Sequence, residues 1–286
     1  MYLSRVSLRA DIATTQLSLL LKDRQGYGLH RLFWDLFSDG GSDKQQRDFL
    51  FREEIAGEQR VNSGKRRAAP IYYVLSKKPP LRESPLFDVD SKEYRPKLAE
   101  GDRLAFKLRV NAVVRREGKR HDIVMDQQQL WLRQQLQNLG IKASGEKGKL
   151  KACLLDSAGD TQVSEWKTII ERGPFAQKLE QSLGRRDSME WAIKTVVERR
   201  VQHWWQNKGD RLGFEVACFD NGEPILESVA YQKHHLPEKG QGVGFNSLDL
   251  CGEVIVKEVD EFQKFLFEGT GPAKAFGCGL MLIRRL

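Results

Sequence analysis

The spacing of apolar residues in the first hundred positions predicts a small unit that combines strands with one helix. Apolar and polar residues alternate over residues 1–9, as in a half-buried strand. Apolar residues recur at helical spacing over residues 27–37, which predicts an amphipathic helix. Short apolar runs at residues 49–51 and 71–75 indicate two more strands, and a weaker strand is expected around residues 93–98. The predicted order is strand, helix and three strands.

The second half of the chain begins with its clearest strand pattern, an alternation of apolar and charged residues over positions 104–112. In chain order, the later elements are predicted as a helix at 189–204, strands at 212–219 and 252–257, a helix at 260–267 and a strand at 280–284. An extra hairpin is expected between strands at 225–231 and near residue 245. Without the hairpin the order is β-α-β-β-α-β, as in ferredoxin-like domains.

Residues 126–187 interrupt that order and are interpreted as an insertion. They contain a glutamine-rich helix over residues 127–139 and a second helical piece near Trp166. The first half of the chain resembles a degraded copy of the β-α-β-β-α-β unit. We therefore expect an α+β protein with two tandem ferredoxin-like (RRM-like) βαββαβ domains, at residues 1–98 and 99–286, of which the second carries the insertion.

The charge balance of the 286-residue chain favours a polyanionic partner, since Lys and Arg number 47, Asp and Glu number 39, and the formal net charge is +8. No apolar run approaches the roughly 18 residues that a membrane-spanning helix needs. The first residues lack the apolar core of a signal peptide, so we expect a cytoplasmic protein with no membrane partner. The four cysteines lie far apart, without a C-x-x-C pair, and are interpreted as reduced thiols.

A glycine-rich loop follows the last predicted helix and reads G-T-G-P-A-K-A-F-G-C-G from Gly269 to Gly279. It is not a dinucleotide-binding fingerprint, because such a loop follows a strand and opens a helix. Two interpretations stay open. The backbone N–H groups and Lys274 are suited to binding phosphates, whereas an ordinary helix C-cap and turn would also use glycine.

His30 follows Tyr27 by three residues on the predicted helix, so the two side chains occupy neighbouring positions on its surface. A histidine beside a tyrosine and Arg31 is suited to proton transfer with charge stabilisation, although a solvated surface histidine is the simpler interpretation. The other histidines show no metal-ligand spacing such as H-E-x-x-H. We therefore expect neither a metal site nor a cofactor.

Basic residues gather at predicted turns, along the strand at 104–112 and on one face of the long helix. Such clusters often serve only solubility, but their combination with the aromatic run His203-Trp204-Trp205 favours a nucleic-acid surface. The candidate contacts are Lys107, Arg109, Lys119, Arg120, Arg199 and Arg200.

Several segments taken in order carry a family resemblance. They are Met1 to Val6, Tyr27-x-x-His30 leading to Trp34, Arg47 to Phe51, Phe106-x-Leu108-Arg109-x-Asn111, Gly118-Lys119-Arg120, and the glycine loop through Leu280. Together they resemble the CasE endoribonucleases of the type I-E CRISPR system, which process the precursor RNA and belong to the Cascade complex. Residues 126–187 extend beyond the compact members of that family, so this stretch inherits no role.

The resemblance implies metal-independent cleavage of CRISPR precursor RNA beside the repeat stem-loop, with the product retained in Cascade. A 2′-hydroxyl attacks the adjacent phosphorus and leaves a 2′,3′-cyclic phosphate and a 5′-hydroxyl. His30 is expected to transfer protons, Tyr27 to orient the reacting group, and a cation, for which Arg31 is the candidate, to offset charge on the phosphorane. The basic residues above and the loop are expected to contact the RNA hairpin. The loop positions are Gly269, Gly271, Lys274, Gly277 and Gly279.

Two other classes of protein stay open. A non-catalytic ferredoxin-like RNA-binding module would carry the same basic strands. It would bind RNA, and His30 would not matter to cleavage. A purely structural subunit of a ribonucleoprotein would bind protein and would not retain RNA as an isolated chain.

Overall fold

The structure is a computed structural model that describes residues 1–9, 28–37, 49–55, 70–81, 83–142, 144–236, 240 and 242–286. The strands are β1 (Tyr2–Leu8), β2 (Phe49–Ile55), β3 (Pro70–Ser76), β4 (Phe87–Glu93), β5 (Arg103–Val110), β6 (Val113–Arg116), β7 (Lys119–Asp122), β8 (Phe214–Val216), β9 (Leu226–His235), β10 (Gly244–Val256) and β11 (Met281–Arg285). The helices are α1 (Gly28–Trp34), α2 (Ile123–Asn138), α3 (Lys147–Ser157), α4 (Asp160–Glu171), α5 (Arg185–Leu212) and α6 (Val259–Glu268). No helix in these ranges is long and apolar enough to span a membrane.

The first four strands form one antiparallel sheet in the order β2-β3-β1-β4. β1 to β4 are the first to fourth strands of this unit along the chain. Read from the β4 edge, the sheet therefore contains the fourth, first, third and second strand. The predicted strand at residues 93–98 was placed too late, because β4 pairs with β1 from Phe87 opposite Leu8 to Glu93 opposite Tyr2. The sequence of β4 does not show a recognisable strand pattern, because six of its seven residues are not buried and most are charged or polar.

The core of the first sheet is aromatic and lies under α1. Phe33 of the helix is fully buried, with ring centroids 5.0 Å from Phe51, 5.2 Å from Tyr72 and 5.6 Å from Phe87. Aromatic side chains bury large areas and dominate the packing energy of a small core. This cluster therefore fixes α1 on β2, which determines where the neighbouring helix residues lie.

The second sheet repeats the same strand order. It runs β11-β5-β10-β8, again the fourth, first, third and second strand of its unit, and β9 pairs with β10 as the predicted extra hairpin. Two separate strands were predicted near residue 245 and at 252–257. That prediction was wrong, because β10 is one continuous strand. Asp249 and Gly252 break the apolar alternation there, although the ladder with β5 continues through both positions.

The region from residue 112 to residue 209 forms, with residues 226–228, its own compact unit, while both sheets belong to another. This unit starts earlier than the predicted insertion. It opens with the unpredicted β6–β7 hairpin, and α2 begins at Ile123, where Asp122 Oδ1 accepts hydrogen bonds from the backbone N of Val124 and Met125, both at 2.9 Å. Buried residues of α2, α3, α4 and α5 share one hydrophobic cluster. The predicted domain boundary at residue 98 stays a prediction.

Candidate functional site

The glycine loop packs against the first sheet. Gly269 adopts a φ of 68°, and a Cβ at this position would lie 2.8 Å from Leu50 Cδ1 and 2.8 Å from Gly279 O. Gly277 adopts a φ of 81°, and a Cβ there would lie 3.2 Å from the ring of Phe51. A left-handed backbone with so little space is suited to glycine alone. The loop also joins the second sheet, because Gly279 N donates to Arg109 O at 2.7 Å.

Lys274 caps the preceding helix. Its Nζ donates to Glu268 O at 2.5 Å and to Gly269 O at 3.1 Å, at the C-terminal end of α6. A cation at this end satisfies terminal carbonyl groups and interacts favourably with the helix dipole. The capping interpretation of the loop is therefore observed, and an RNA contact by Lys274 and the loop glycines stays a prediction.

His30 lies half-buried among aromatic rings. Its ring centroid is 5.1 Å from Phe49, 5.9 Å from Trp34 and 6.4 Å from Phe51. The helical pattern predicted a position on the helix surface beside Tyr27, but the spacing of helix residues does not predict the rings of β2 that contact the imidazole. Tyr27 lies outside the described residues, and Arg31 is a residue of α1. The catalytic roles of all three residues stay predictions.

A cavity of about 210 Å³ lies beside this helix, and its walls come from both sheets. It is lined by Leu29, Phe51, Glu53, Arg109, Lys233, His234, His235, Phe245, Phe276 and Gly277. Residues far apart in sequence therefore meet here. The α1–β2 region next to His30, the β5 motif and the glycine loop, which carried separate sequence hypotheses, all contribute to one concave site.

Arg109 is held on the cavity wall by a partly buried acidic partner, Asp249. Its Nε and Nη2 donate to the two carboxylate oxygens of Asp249, each at 2.9 Å. Asp249 Oδ1 also lies 3.5 Å from Nη2 of Arg52, which pairs in addition with Glu54. Burial alone would lower the pKa of Arg109, but the hydrogen bond and charge of Asp249 outweigh it and raise the pKa. The guanidinium stays charged and its orientation is fixed.

His234 is a site residue that sequence reasoning missed. Its ring stacks on Phe245, with centroids 4.6 Å apart and planes inclined by 12°, and its Nε2 lies 2.7 Å from Ser247 Oγ. Burial lowers its pKa, and the charge of Arg109 lowers it further, while Asp249 acts in the opposite direction. The surroundings of the ring therefore favour its neutral form. Asp249, a charged residue within the apolar run of β10, is a sequence signal that could have indicated a charged partner near this strand.

Cys278, also near Arg109, is an inert thiol. It is fully buried, and burial raises its pKa to about 12. A thiol is nucleophilic only as the thiolate, so Cys278 does not serve as a nucleophile. Among the described residues no group of three or more His, Cys, Asp or Glu side chains is arranged to hold a metal ion.

The other predicted RNA contacts lie elsewhere. Lys107 is exposed on β5, on the same face as Arg109. Lys119 and Arg120 are exposed on β7 and pair in register with Arg116 and Arg115 of β6, so the hairpin carries four basic side chains. Arg199 and Arg200 lie on α5, and Nη2 of Arg199 donates to Arg172 O. The hairpin and these α5 residues belong to the compact unit of residues 112–209.

The strand order that both sheets share is that of two tandem ferredoxin-like domains, although the first has no helix between β3 and β4 among the described residues. A family profile described as CRISPR associated protein matches residues 1–172 and 176–285. The chain therefore belongs to this family of CRISPR-associated proteins. No curated protein matches the chain.

Solved structures of Cse3 share the fold. The CRISPR endoribonuclease Cse3 bound to a 19-nucleotide RNA matches with a TM-score of 0.58 and 17% identity, over 99% of this chain and 100% of that one. Thermus thermophilus Cse3 bound to an RNA that represents a pre-cleavage complex matches with a TM-score of 0.57 and 17% identity, over 99% and 98%. A CRISPR-associated protein from Thermus thermophilus matches with a TM-score of 0.54 and 17% identity, over 99% and 100%.

Proposed function

We propose that this protein is an endoribonuclease that cleaves CRISPR precursor RNA at the repeat stem-loop and retains the product as a subunit of Cascade. The observation that carries the proposal is the cavity, where the surroundings of His30, the cation Arg109 and the glycine loop meet. Membership of the CRISPR-associated family supports an RNA role, and the structurally similar Cse3 chains were solved with RNA. In this proposal residues 1–98 supply the catalytic helix and residues 99–286 supply most of the RNA contacts.

The proposed reaction is an intramolecular transesterification that needs no metal. A base removes the proton of the 2′-hydroxyl, whose oxygen forms a bond to the adjacent phosphorus. The bond from phosphorus to the 5′-oxygen breaks, and that oxygen takes up a proton. The products are a 2′,3′-cyclic phosphate and a 5′-hydroxyl. His30 transfers the protons, Tyr27 orients the reacting group, and Arg31 or another cation offsets the charge that develops on the phosphorane.

RNA recognition in this proposal rests on shape and phosphate charge. An A-form stem hides the edges of its bases, so basic side chains bind its phosphates and 2′-hydroxyls. The β6–β7 hairpin presents Lys119 and Arg120 beside two further arginines, all exposed. Lys107 and the α5 residues Arg199 and Arg200 are additional candidates.

The decisive experiment incubates the purified chain with a hairpin-forming repeat RNA in EDTA. Cleavage to a 2′,3′-cyclic phosphate and a 5′-hydroxyl is expected, and a 2′-deoxy substitution at the cleavage site should block cutting while sparing binding. A 5′-phosphate product would contradict the mechanism. Retention of RNA without cleavage would favour the non-catalytic module, and failure to retain RNA would favour the structural subunit.

A further inference from the structure

One wall of the cavity is a row of three aromatic rings. The His234 ring stacks nearly parallel on Phe245, and Phe276 follows with its centroid 5.2 Å from Phe245 and its plane inclined by 41°. Phe51 lines the same cavity. Its volume of about 210 Å³ is below the roughly 300–1,000 Å³ of pockets that hold drug-sized ligands. Such a space suits one planar ring system.

The polar groups of the cavity differ in sign and in hydrogen-bonding role. Arg109 uses Nε and Nη2 on Asp249, and its Nη1 has no hydrogen-bond partner among the residues that the structure describes. Glu53 also lines the cavity, close enough that its charge contributes to raising the pKa of Arg109. The cavity therefore offers a fixed guanidinium donor and a carboxylate acceptor above an aromatic wall.

This combination fits a nucleobase better than a phosphate. The carboxylate of Glu53 repels a phosphate anion and offsets the positive charges of Arg109 and Lys233, which also line the cavity. A base, in contrast, stacks on aromatic rings whatever its sequence. Guanine offers the O6 and N7 acceptors that arginine recognises, while its N1–H and N2 amino group are donors for a carboxylate.

We propose that the cavity binds one unpaired guanine of the RNA against the aromatic row of His234, Phe245 and Phe276, with Arg109 and Glu53 contacting its edges. The inference rests on the proposed RNA-processing function and adds a base-specific subsite to it. It makes unpaired sequence next to the stem, and not only hairpin shape, a determinant of which RNA is bound.

The RNA side of the test uses 2′-deoxy hairpin RNAs that cannot be cut, so that binding is measured apart from cleavage. Each unpaired nucleotide in turn is made guanine, inosine or abasic. At one position, inosine should weaken binding about ten-fold relative to guanine, since only the N2 amino donor to Glu53 is lost. An abasic site there should weaken binding roughly 5- to 150-fold through lost stacking. The absence of any such position overturns the inference.

The protein side uses variants in the same assay. Glu53→Gln should lower the preference for guanine over inosine, because the amide keeps one acceptor oxygen but loses the charge, and Phe276→Ala should lower the sensitivity to an abasic site. Phe219→Ala is the matched control, because Phe219 is an exposed aromatic residue, 56% accessible, that does not line the cavity. Should Phe276→Ala fail to fold, the RNA substitutions and Glu53→Gln still decide the question.

The outcomes separate this inference from the proposed function. Equal binding of every 2′-deoxy RNA, together with cleavage of the same hairpin carrying its 2′-hydroxyl, overturns the base subsite and leaves the endoribonuclease intact. A guanine preference among the 2′-deoxy RNAs, without cleavage of the hairpin that carries the 2′-hydroxyl, supports the subsite and overturns the endoribonuclease.

Discussion

Asp249 is the position where a small change should have a large effect on stability. Its side chain is 13% exposed and lies between Arg52, 5% exposed, and Arg109, 18% exposed. Asp249→Asn keeps the size of the side chain and removes its charge. The carboxylate that holds Arg109 in two hydrogen bonds is thereby lost, while the guanidinium remains in place.

The size of the stability loss depends on which charged group loses its ion-pair partner. Removing one partner of a buried ion pair typically costs about 3–5 kcal/mol, because the other charge stays buried. Arg52 keeps its pairing with Glu54, so Arg109 is the group that loses its partner. Since water reaches part of Arg109 and screens its charge, we expect a loss near the lower end, about 3 kcal/mol of the free energy of unfolding.

Urea denaturation followed by circular dichroism measures this loss. The midpoint should fall while the dependence of the unfolding free energy on urea stays unchanged. Glu215→Gln is the matched control, since its pair with Lys257 has side chains that are 49% and 48% exposed and should contribute at most about 1 kcal/mol. An Asp249→Asn protein as stable as the control would refute the argument that burial makes this pair important.

Three further predictions concern His30 of α1, the glycine loop and the thiols. His30→Ala should slow cleavage about 10²–10⁴-fold and leave hairpin affinity within a few-fold, and unchanged single-turnover rates would remove His30 from the mechanism. Gly269→Ala should cost about 1–3 kcal/mol more in urea denaturation than Gly271→Ala, because both glycines have positive φ but only Gly269 would bring a Cβ within 2.8 Å of neighbouring atoms. In the folded protein at pH 8, a thiol reagent should modify the exposed Cys218 quickly and Cys278 only after unfolding. Fast labelling of Cys278 would contradict its burial and its pKa of about 12.

The sequence predicted those elements whose apolar residues keep one strict period. The alternation over β5 and the helical spacing of α6 correspond to faces that are buried in the structure. The prediction failed for strands in which polar residues or glycine interrupt the regular alternation of apolar and polar positions. In β4 only Phe87 is buried, and β10 passes through Asp249 and Gly252 without a break in pairing.

The candidate site was predictable only in pieces. Local spacing singled out His30, Arg109 and the glycine loop as separate features. Their meeting in one cavity depends on the register of β5 with β10 and on the packing of the loop against Phe51, neither of which local spacing encodes. His234 became a candidate only through its cross-strand stacking on Phe245, since two adjacent histidines in a sequence indicate no partner by themselves.

The contact between the glycine loop and β2 has a consequence for the order of folding during synthesis. Leu50 and Leu75 of the first sheet share a buried cluster with Leu280, which follows the loop. The ribosome makes the first sheet early, yet this apolar face stays open until residue 280 has left the exit tunnel. Contacts between residues so distant in sequence form slowly, and the apolar surface of a sheet that is not yet covered favours aggregation. The nascent chain should therefore depend on chaperone binding to this face until its last strand is made.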